Sequence, residues 1–124
     1  MIKRHLNSYK HAKDGFLNLL TVKNHNFIIE LIVTPIVLLV GVLLNISTVE
    51  WLILVLCCGL VLTTEILNTS IEAACDAIDI NHNPQIKIAK DVAASAVVIA
   101  GLTSLIVGIA VFAPKVILLL QSIK

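Results

Sequence analysis

Charged and aromatic residues are scarce in this 124-residue chain. Only 14% of the residues are charged and only 4% are aromatic, whereas 58% are hydrophobic. Soluble domains carry about 25% charged residues, so this composition excludes an ordinary soluble protein and indicates an integral membrane protein. The net charge of +1 gives no reason to expect a nucleic-acid partner. At this length we expect a single membrane domain that covers residues 1–124.

Cysteine is also rare, and its spacing excludes two kinds of site. Cys57 and Cys58 are adjacent and Cys75 stands alone, so the sequence supports neither a disulfide framework nor a zinc site. We interpret the three cysteines as small buried apolar residues. The first residues, "MIKRHLNSYKHAK", contain no apolar core of the kind that a signal peptide needs, so we do not expect one.

Long apolar runs are the main feature that the sequence does have. A helix needs about 20 mainly apolar residues to cross the hydrocarbon core of a bilayer, and three runs approach or reach that length. We therefore predict an all-α integral membrane protein with three transmembrane helices. The predicted segments are a first span at 27–46, a second span with a cytoplasmic extension at 50–80, a third span at 86–113 and a tail at 114–124.

The segment before the first span mixes Lys and Arg with Leu, Phe and Tyr. This mixture predicts an amphipathic surface helix over residues 1–26. Lysines also occur in the loop "INHNPQIKIAK", whereas the turn "NISTVE" contains neither Lys nor Arg. Positive residues accumulate on the cytoplasmic side, so we predict a multi-pass protein of the cytoplasmic membrane with its N-terminus inside and its C-terminus outside.

The third span contains a ridge of small residues. Four of them recur every fourth position, with Gly101 beside them: Ala96, Ala100, Ser104 and Gly108. This spacing predicts close contact between helices in lipid. Since three helices enclose little volume, we expect other subunits to complete the packing or active surfaces.

An acidic stripe at the inner end of the second span needs an explanation. In "EILNTSIEAACDAID", helical geometry places five polar side chains within an arc of about 80°. These are Glu65, Asn68, Glu72, Asp76 and Asp79. Glu65 follows Glu50 by 15 residues, or roughly 22 Å along a helix, which places it within the last turns before the inner interface.

An acid at this depth is costly unless it is paired, protonated or bound to a cation, so we interpret Glu65 and Glu72 as functional. For Asp79 alone we prefer a solvated helix end. Oxygen ligands suit Mg²⁺, which is usually shared between carboxylates and substrate phosphates. Lys90 and Asp91 could face the stripe, with the lysine as a charge for phosphate. These are the parts of a phosphoryl-transfer site, although no Walker or protein-kinase glycine loop is present.

The stripe and the segment after it resemble a known family. "EILNTSIEAACDAI", then fifteen positions from Asp76 to Asp91, then "IAKDVAASAV" is similar to the prokaryotic integral-membrane diacylglycerol kinases and undecaprenol kinases. Their pattern is E-x-x-N-[ST]-[AS]-I-E-x-x-x-D followed by A-K-D. The resemblance implies a homotrimeric bundle with composite active sites near the cytoplasmic interface. It also implies transfer of the γ-phosphoryl group of ATP, with Mg²⁺, to the hydroxyl of a membrane lipid.

The resemblance also implies roles for single residues. Glu65 resembles the general base and Glu72 a metal ligand. The residues that resemble those organising the nucleotide, metal and base are Asn68, Asp76, Lys90 and Asp91. One departure concerns "NHNFIIE", where Asn24 stands at the position of a family acid and Ile28 at that of a frequent arginine. Asn24 and Glu30 are therefore the remaining candidates for a second metal ligand.

Three alternatives to an active lipid kinase stay open. The first is a catalytically impaired homologue that binds nucleotide or lipid, because an acid is missing at Asn24. The second is a small ion-translocating oligomer in which Glu65 carries the ion. The third is a packing subunit, which leaves the acidic stripe unexplained. The sequence does not decide between diacylglycerol and undecaprenol as the acceptor.

Overall fold

A computed structural model describes residues 2–21, 25–78 and 83–122, with side chains from residue 7 onward. Within these ranges the chain forms helices and no strand. Three of them are long and apolar enough to cross a membrane. The structure therefore confirms the predicted all-α membrane fold with an N-terminal helix and three membrane helices. The helices are α1 (Ile2–Thr21), α2 (His25–Leu43), α3 (Thr48–Ile78) and α4 (Pro84–Ser122).

The last helix is longer than the segment expected from the sequence. We placed the end of the third span at residue 113 and a tail beyond it, but α4 continues through Pro114 to Ser122. A proline removes one backbone hydrogen bond, and membrane helices tolerate this loss. Five apolar residues at 116–120 follow the proline, and lipid favours keeping their backbone groups paired within a helix.

Side-chain caps begin the two longest helices. At the start of α3, the backbone N–H of Ser47 donates to Glu50 Oε2 at 2.6 Å, and the backbone N–H of Glu50 donates to Ser47 Oγ at 3.4 Å. This is a capping box, which satisfies two amides that the helix itself leaves unpaired. At the start of α4, Asn83 Oδ1 accepts from the backbone N–H of Gln85 at 2.9 Å, and Pro84 occupies the first helical position.

Two ion pairs connect α3 to α4 on either side of the apolar region. Lys90 Nζ lies 2.7 Å from Asp76 Oδ1, and Lys115 Nζ lies 3.3 Å from Glu50 Oε2. Glu50 and Asp76 are 26 residues apart, or about 39 Å along α3, compared with about 30 Å for the hydrocarbon core. Both pairs can therefore lie near an interface while they fix the register of the two antiparallel helices.

The buried apolar core lies towards the end of the bundle that contains the turn between α2 and α3. Ile46, Leu54 and Val111 form its centre, and Trp51 and Phe112 are among the residues packed against it. At the other end, the rings of Phe16 and Phe27 meet edge to face at 5.9 Å and connect α1 to α2. Only 11% of the most apolar window of each span is buried within the chain. Most of the remaining surface is thus left for lipid or for other copies.

The small-residue ridge of α4 contacts α3 along part of its length. Ala100 is buried, and the hydroxyl of Ser104 donates to the backbone oxygen of Cys57 on α3 at 3.4 Å. Ala96 is exposed, and a Cβ added at Gly101 or Gly108 would meet nothing within 4 Å. The two glycines therefore border open space in this subunit.

Gly41 provides a test of the packing between α2 and α3. A Cβ added there would lie 3.0 Å from Cη2 of Trp51 and 3.1 Å from Cδ1 of Ile46. We expect Gly41→Leu to lower the free energy of unfolding by about 1–3 kcal/mol, because it overpacks a filled contact. Denaturation in mixed detergent micelles measures this change. Gly59→Leu is the matched control, since a Cβ at Gly59 meets nothing within 4 Å, and an equal loss in both variants would contradict the packing described here.

Candidate active site

The acidic stripe lies along one side of α3 and becomes more exposed towards the helix end. Glu65 is 1% exposed and Asn68 is 6% exposed. Glu72 is half-buried and Asp76 is exposed. Asp79, the last member of the predicted stripe, lies outside the described residues. The stripe therefore runs from the interior of the bundle to its polar end, so that one helix face connects a buried acid to water.

Glu65 is buried next to a second acid. Its Oε2 atom is inaccessible and has no hydrogen-bond partner within the described part of the chain, and the same holds for Oε2 of Glu30 on α2. The two carboxyl groups are close enough to interact electrostatically. Two charged carboxylates at this proximity repel each other, so a cation between α2 and α3 would lower the electrostatic energy of this end of the site.

Asn68 lies between Glu65 and Glu72 along α3 and forms a hydrogen bond with Glu72. Its side-chain Nδ2 donates to Oε1 of Glu72 at 3.2 Å, which orients that carboxylate along the stripe. Asn68 Oδ1 is buried, and the described residues offer it no donor. One amide thus holds Glu72 in place and leaves an oxygen available for a ligand.

The two lysines of α4 have different partners. Lys90 donates to Asp76 Oδ1 and also interacts electrostatically with Glu72, so the structure brings Lys90 to the stripe as predicted. Lys87 pairs with Asp91 one turn away on the same helix, and both side chains are exposed. Within this chain, Asp91 therefore does not reach the stripe.

The described side chains do not form a complete metal cage. In residues 2–21, 25–78 and 83–122, no group of three or more Asp, Glu, His or Cys side chains comes close enough to hold a metal ion. Asn24, expected at the missing acid position, lies outside these ranges. Mg²⁺ usually takes one or two carboxylates together with phosphate oxygens and water. Glu72, with the vacant oxygen of Asn68 nearby, fits that donor set.

A groove between α2, α3 and α4 was not anticipated from the sequence. It has a volume of about 810 Å³, and apolar side chains form most of its wall. Glu30 lies at the end of the groove nearest the acidic stripe, called here its inner end, with Val61 and Gly101, whereas Val116 and Ile117 lie at the opposite, outer end. The sequence signal was the interruption of the first apolar run by an acid, but its proximity to Glu65 and to a cavity depends on how the helices pack.

Comparisons with known proteins identify the family of this chain. Residues 10–112 match the family described as "Prokaryotic diacylglycerol kinase". The chain belongs to the prokaryotic diacylglycerol kinase family. It is 36% identical over 114 residues to the undecaprenol kinase of Bacillus subtilis, which covers 92% of each chain. It is 32% identical over 100 residues to the diacylglycerol kinase of Pseudomonas aeruginosa, which covers 80% of each chain. No solved structure gives a significant match.

This membership confirms the predicted resemblance. As a member of the family, the chain is a lipid kinase of the membrane. The matched range contains the whole stripe together with Glu30 and Lys90.

The burial of Glu65 leads to a stability prediction. A buried carboxylate without a partner costs more than a neutral amide of the same shape, so Glu65→Gln should raise the free energy of unfolding by about 1 kcal/mol. Unfolding in mixed micelles measures the change. Glu72→Gln is the control, because Glu72 is half-buried and bonded to Asn68. A marked loss of stability in Glu65→Gln would show that Glu65 is a structural residue.

Proposed function

We propose that this protein transfers the γ-phosphoryl group of MgATP to the hydroxyl group of a long-chain lipid alcohol at the inner face of the cytoplasmic membrane. The observation that carries the proposal is the position of Glu65. It is buried, one of its oxygens is inaccessible and has no hydrogen-bond partner among the described residues, and it shares a helix face with Glu72. A base and a metal ligand side by side at a membrane surface are what phosphoryl transfer to a lipid requires.

The proposed reaction uses Glu65 as the general base. The lipid O–H bond breaks and its proton passes to the Glu65 carboxylate, while the alcohol oxygen forms a bond to the γ-phosphorus. The bond from that phosphorus to the β-phosphate bridging oxygen breaks, and ADP leaves. Because Glu65 is shielded from water by the helices, the lipid hydroxyl does not compete with bulk water for the base.

The nucleotide end of the site lies towards the polar end of α3. Mg²⁺, when bound, would neutralise charge on the transferring phosphoryl group. Glu72 would hold the ion, oriented by its hydrogen bond from Asn68. Lys90 supplies a positive charge for phosphate and is itself positioned by Asp76. Asp91 remains a proposed member of the site, with Lys87 as its partner in the isolated chain.

Two acceptors are supported by the relatives, and we place undecaprenol first. The undecaprenol kinase is the more similar of the two relatives and matches a larger share of the chain, whereas the diacylglycerol kinase supports the second acceptor. We also propose a homotrimer with shared sites and a cytoplasmic N-terminus. The large unburied surface of α2, α3 and α4 and the lysines near the stripe support this arrangement.

A catalytically impaired homologue is the second candidate function. The observation in its favour is Asn24, a neutral side chain where the family pattern has an acid. An amide offers only a weak oxygen ligand to Mg²⁺. Family membership gives no support to an ion-translocating oligomer or a packing subunit, since neither uses the kinase motif.

The kinase proposal predicts the effect of removing the base. With purified protein, radiolabelled ATP and Mg²⁺, we expect phosphate transfer to undecaprenol or diacylglycerol, and a loss of about 10²–10⁴-fold in kcat for Glu65→Gln. Nucleotide binding should persist, because the amide keeps the shape of the side chain. Ser122→Ala, at the exposed end of α4 away from the stripe, is the control with near-normal activity. Transfer that survives in Glu65→Gln would contradict the assignment of the base.

The missing acid gives a separate prediction. Asn24→Glu restores the family residue, so we expect it to lower the Mg²⁺ concentration needed for half-maximal transfer by about tenfold, the ratio that 1.4 kcal/mol of binding energy provides. A magnesium titration at saturating ATP measures this shift, with Asn26→Glu as the neighbouring control. An unchanged titration would show that position 24 does not reach the metal, and wild-type protein without any transfer would favour the impaired homologue.

A further inference from the structure

The groove between α2, α3 and α4 has one polar end and a long apolar remainder. Glu30 lies at its inner end. Oε2 of Glu30 has no hydrogen-bond partner among the described residues, and its carboxyl group interacts electrostatically with that of Glu65. Towards the outer side, the polar groups on its wall are small, and the hydroxyl of Ser104 is already bonded to α3. An occupant with a hydroxyl head and a hydrocarbon chain matches this distribution of polarity.

The length of the groove tells how far such a chain would reach. On α4 its wall extends from Gly101 to Ile117, which is 16 residues or about 24 Å. A single leaflet supplies about half of a hydrocarbon core of roughly 30 Å. A chain that starts beside Glu30 and follows the groove therefore crosses the midplane of the bilayer.

The groove is partly open to the surface of the subunit. A flexible hydrocarbon chain can enter such an opening sideways from the lipid and follow the apolar wall. A second copy could instead insert one row of side chains here.

We propose that this groove holds the hydrocarbon chain of the lipid acceptor and that α4 selects acceptors by chain length. This inference rests on the proposed kinase function and adds a specificity element to it. The residues that set the available length lie on one side of α4. Gly101 is next to the inner end, and Gly108 lies about 10 Å further out. Because neither has a Cβ, the wall leaves room for the chain at both depths.

Three glycine substitutions test the proposal without disturbing the packing of the subunit. A Cβ added at Gly59, Gly101 or Gly108 meets nothing within 4 Å, so each site has space for a leucine. Gly101 and Gly108 line the groove and Gly59 does not. The acceptors are dioctanoylglycerol and dioleoylglycerol, which share a head group and differ in chain length, together with undecaprenol.

We expect Gly108→Leu to lower kcat/KM for dioleoylglycerol and undecaprenol by about tenfold and to leave dioctanoylglycerol within about twofold, because a short chain ends before residue 108. Gly101→Leu should lower kcat/KM for all three acceptors, and Gly59→Leu for none. The dependence on chain length is a readout that a general loss of folding would not produce.

A photoreactive group at the end of an acyl chain gives a direct measurement. Cross-links from a long-chain acceptor should fall on α4 near residues 108–117, and mass spectrometry locates them. Equal losses for both chain lengths in Gly108→Leu, or cross-links confined to lipid-facing residues such as Leu102 and Ile106, would overturn the proposal. So would dissociation of the oligomer in Gly108→Leu, which would assign the groove to a second copy. Wild-type protein inactive on every acceptor would instead defeat the kinase function itself.

Discussion

The cost of keeping a carboxylate inside an apolar helix bundle governs this structure. Glu65 is shielded from water, and it interacts electrostatically with a second acid, Glu30, in place of a positive charge. Removing a carboxylate from water costs several kcal/mol even after the protein relaxes. Such a group persists when a proton, a cation or a substrate donor stabilises it during function. The two acids are thus better explained by what they meet in turnover than by the stability of the isolated chain.

Buried apolar side chains lie at both ends of the bundle. The cluster around Leu54 and Val111 lies near the turn between α2 and α3, with the capping box near it. Phe27 and Cys75 are buried near the end that contains the polar stripe. The helix α3 has no proline and no glycine after Gly59. One regular helix therefore links the apolar cluster to the acids.

Features that repeat along one helix, or that a short turn brings together, could be predicted from the sequence, whereas contacts between helices distant in the sequence could not. The stripe from Glu65 to Asp76 follows from 100° per residue, and the three spans follow from hydropathy. Lys90 was expected near the stripe because a short turn precedes it. In contrast, the approach of Glu30 to Glu65 joins residues 35 positions apart on different helices, and nothing in their spacing sets the distance. The groove likewise depends on how far α2 stands from α4.

The balance of charge at the site indicates how it is completed. Among the described residues, four acids and Lys90 lie at the acidic stripe or beside it, and a magnesium nucleotide would add further negative charge. The four acids are Glu30, Glu65, Glu72 and Asp76. Mg²⁺ offsets only part of this excess, so an active site here would need additional cations close by. Lys10 and Lys13 are exposed on α1. Exposed basic groups of this kind are a physical means of balancing an anionic substrate at an acidic site.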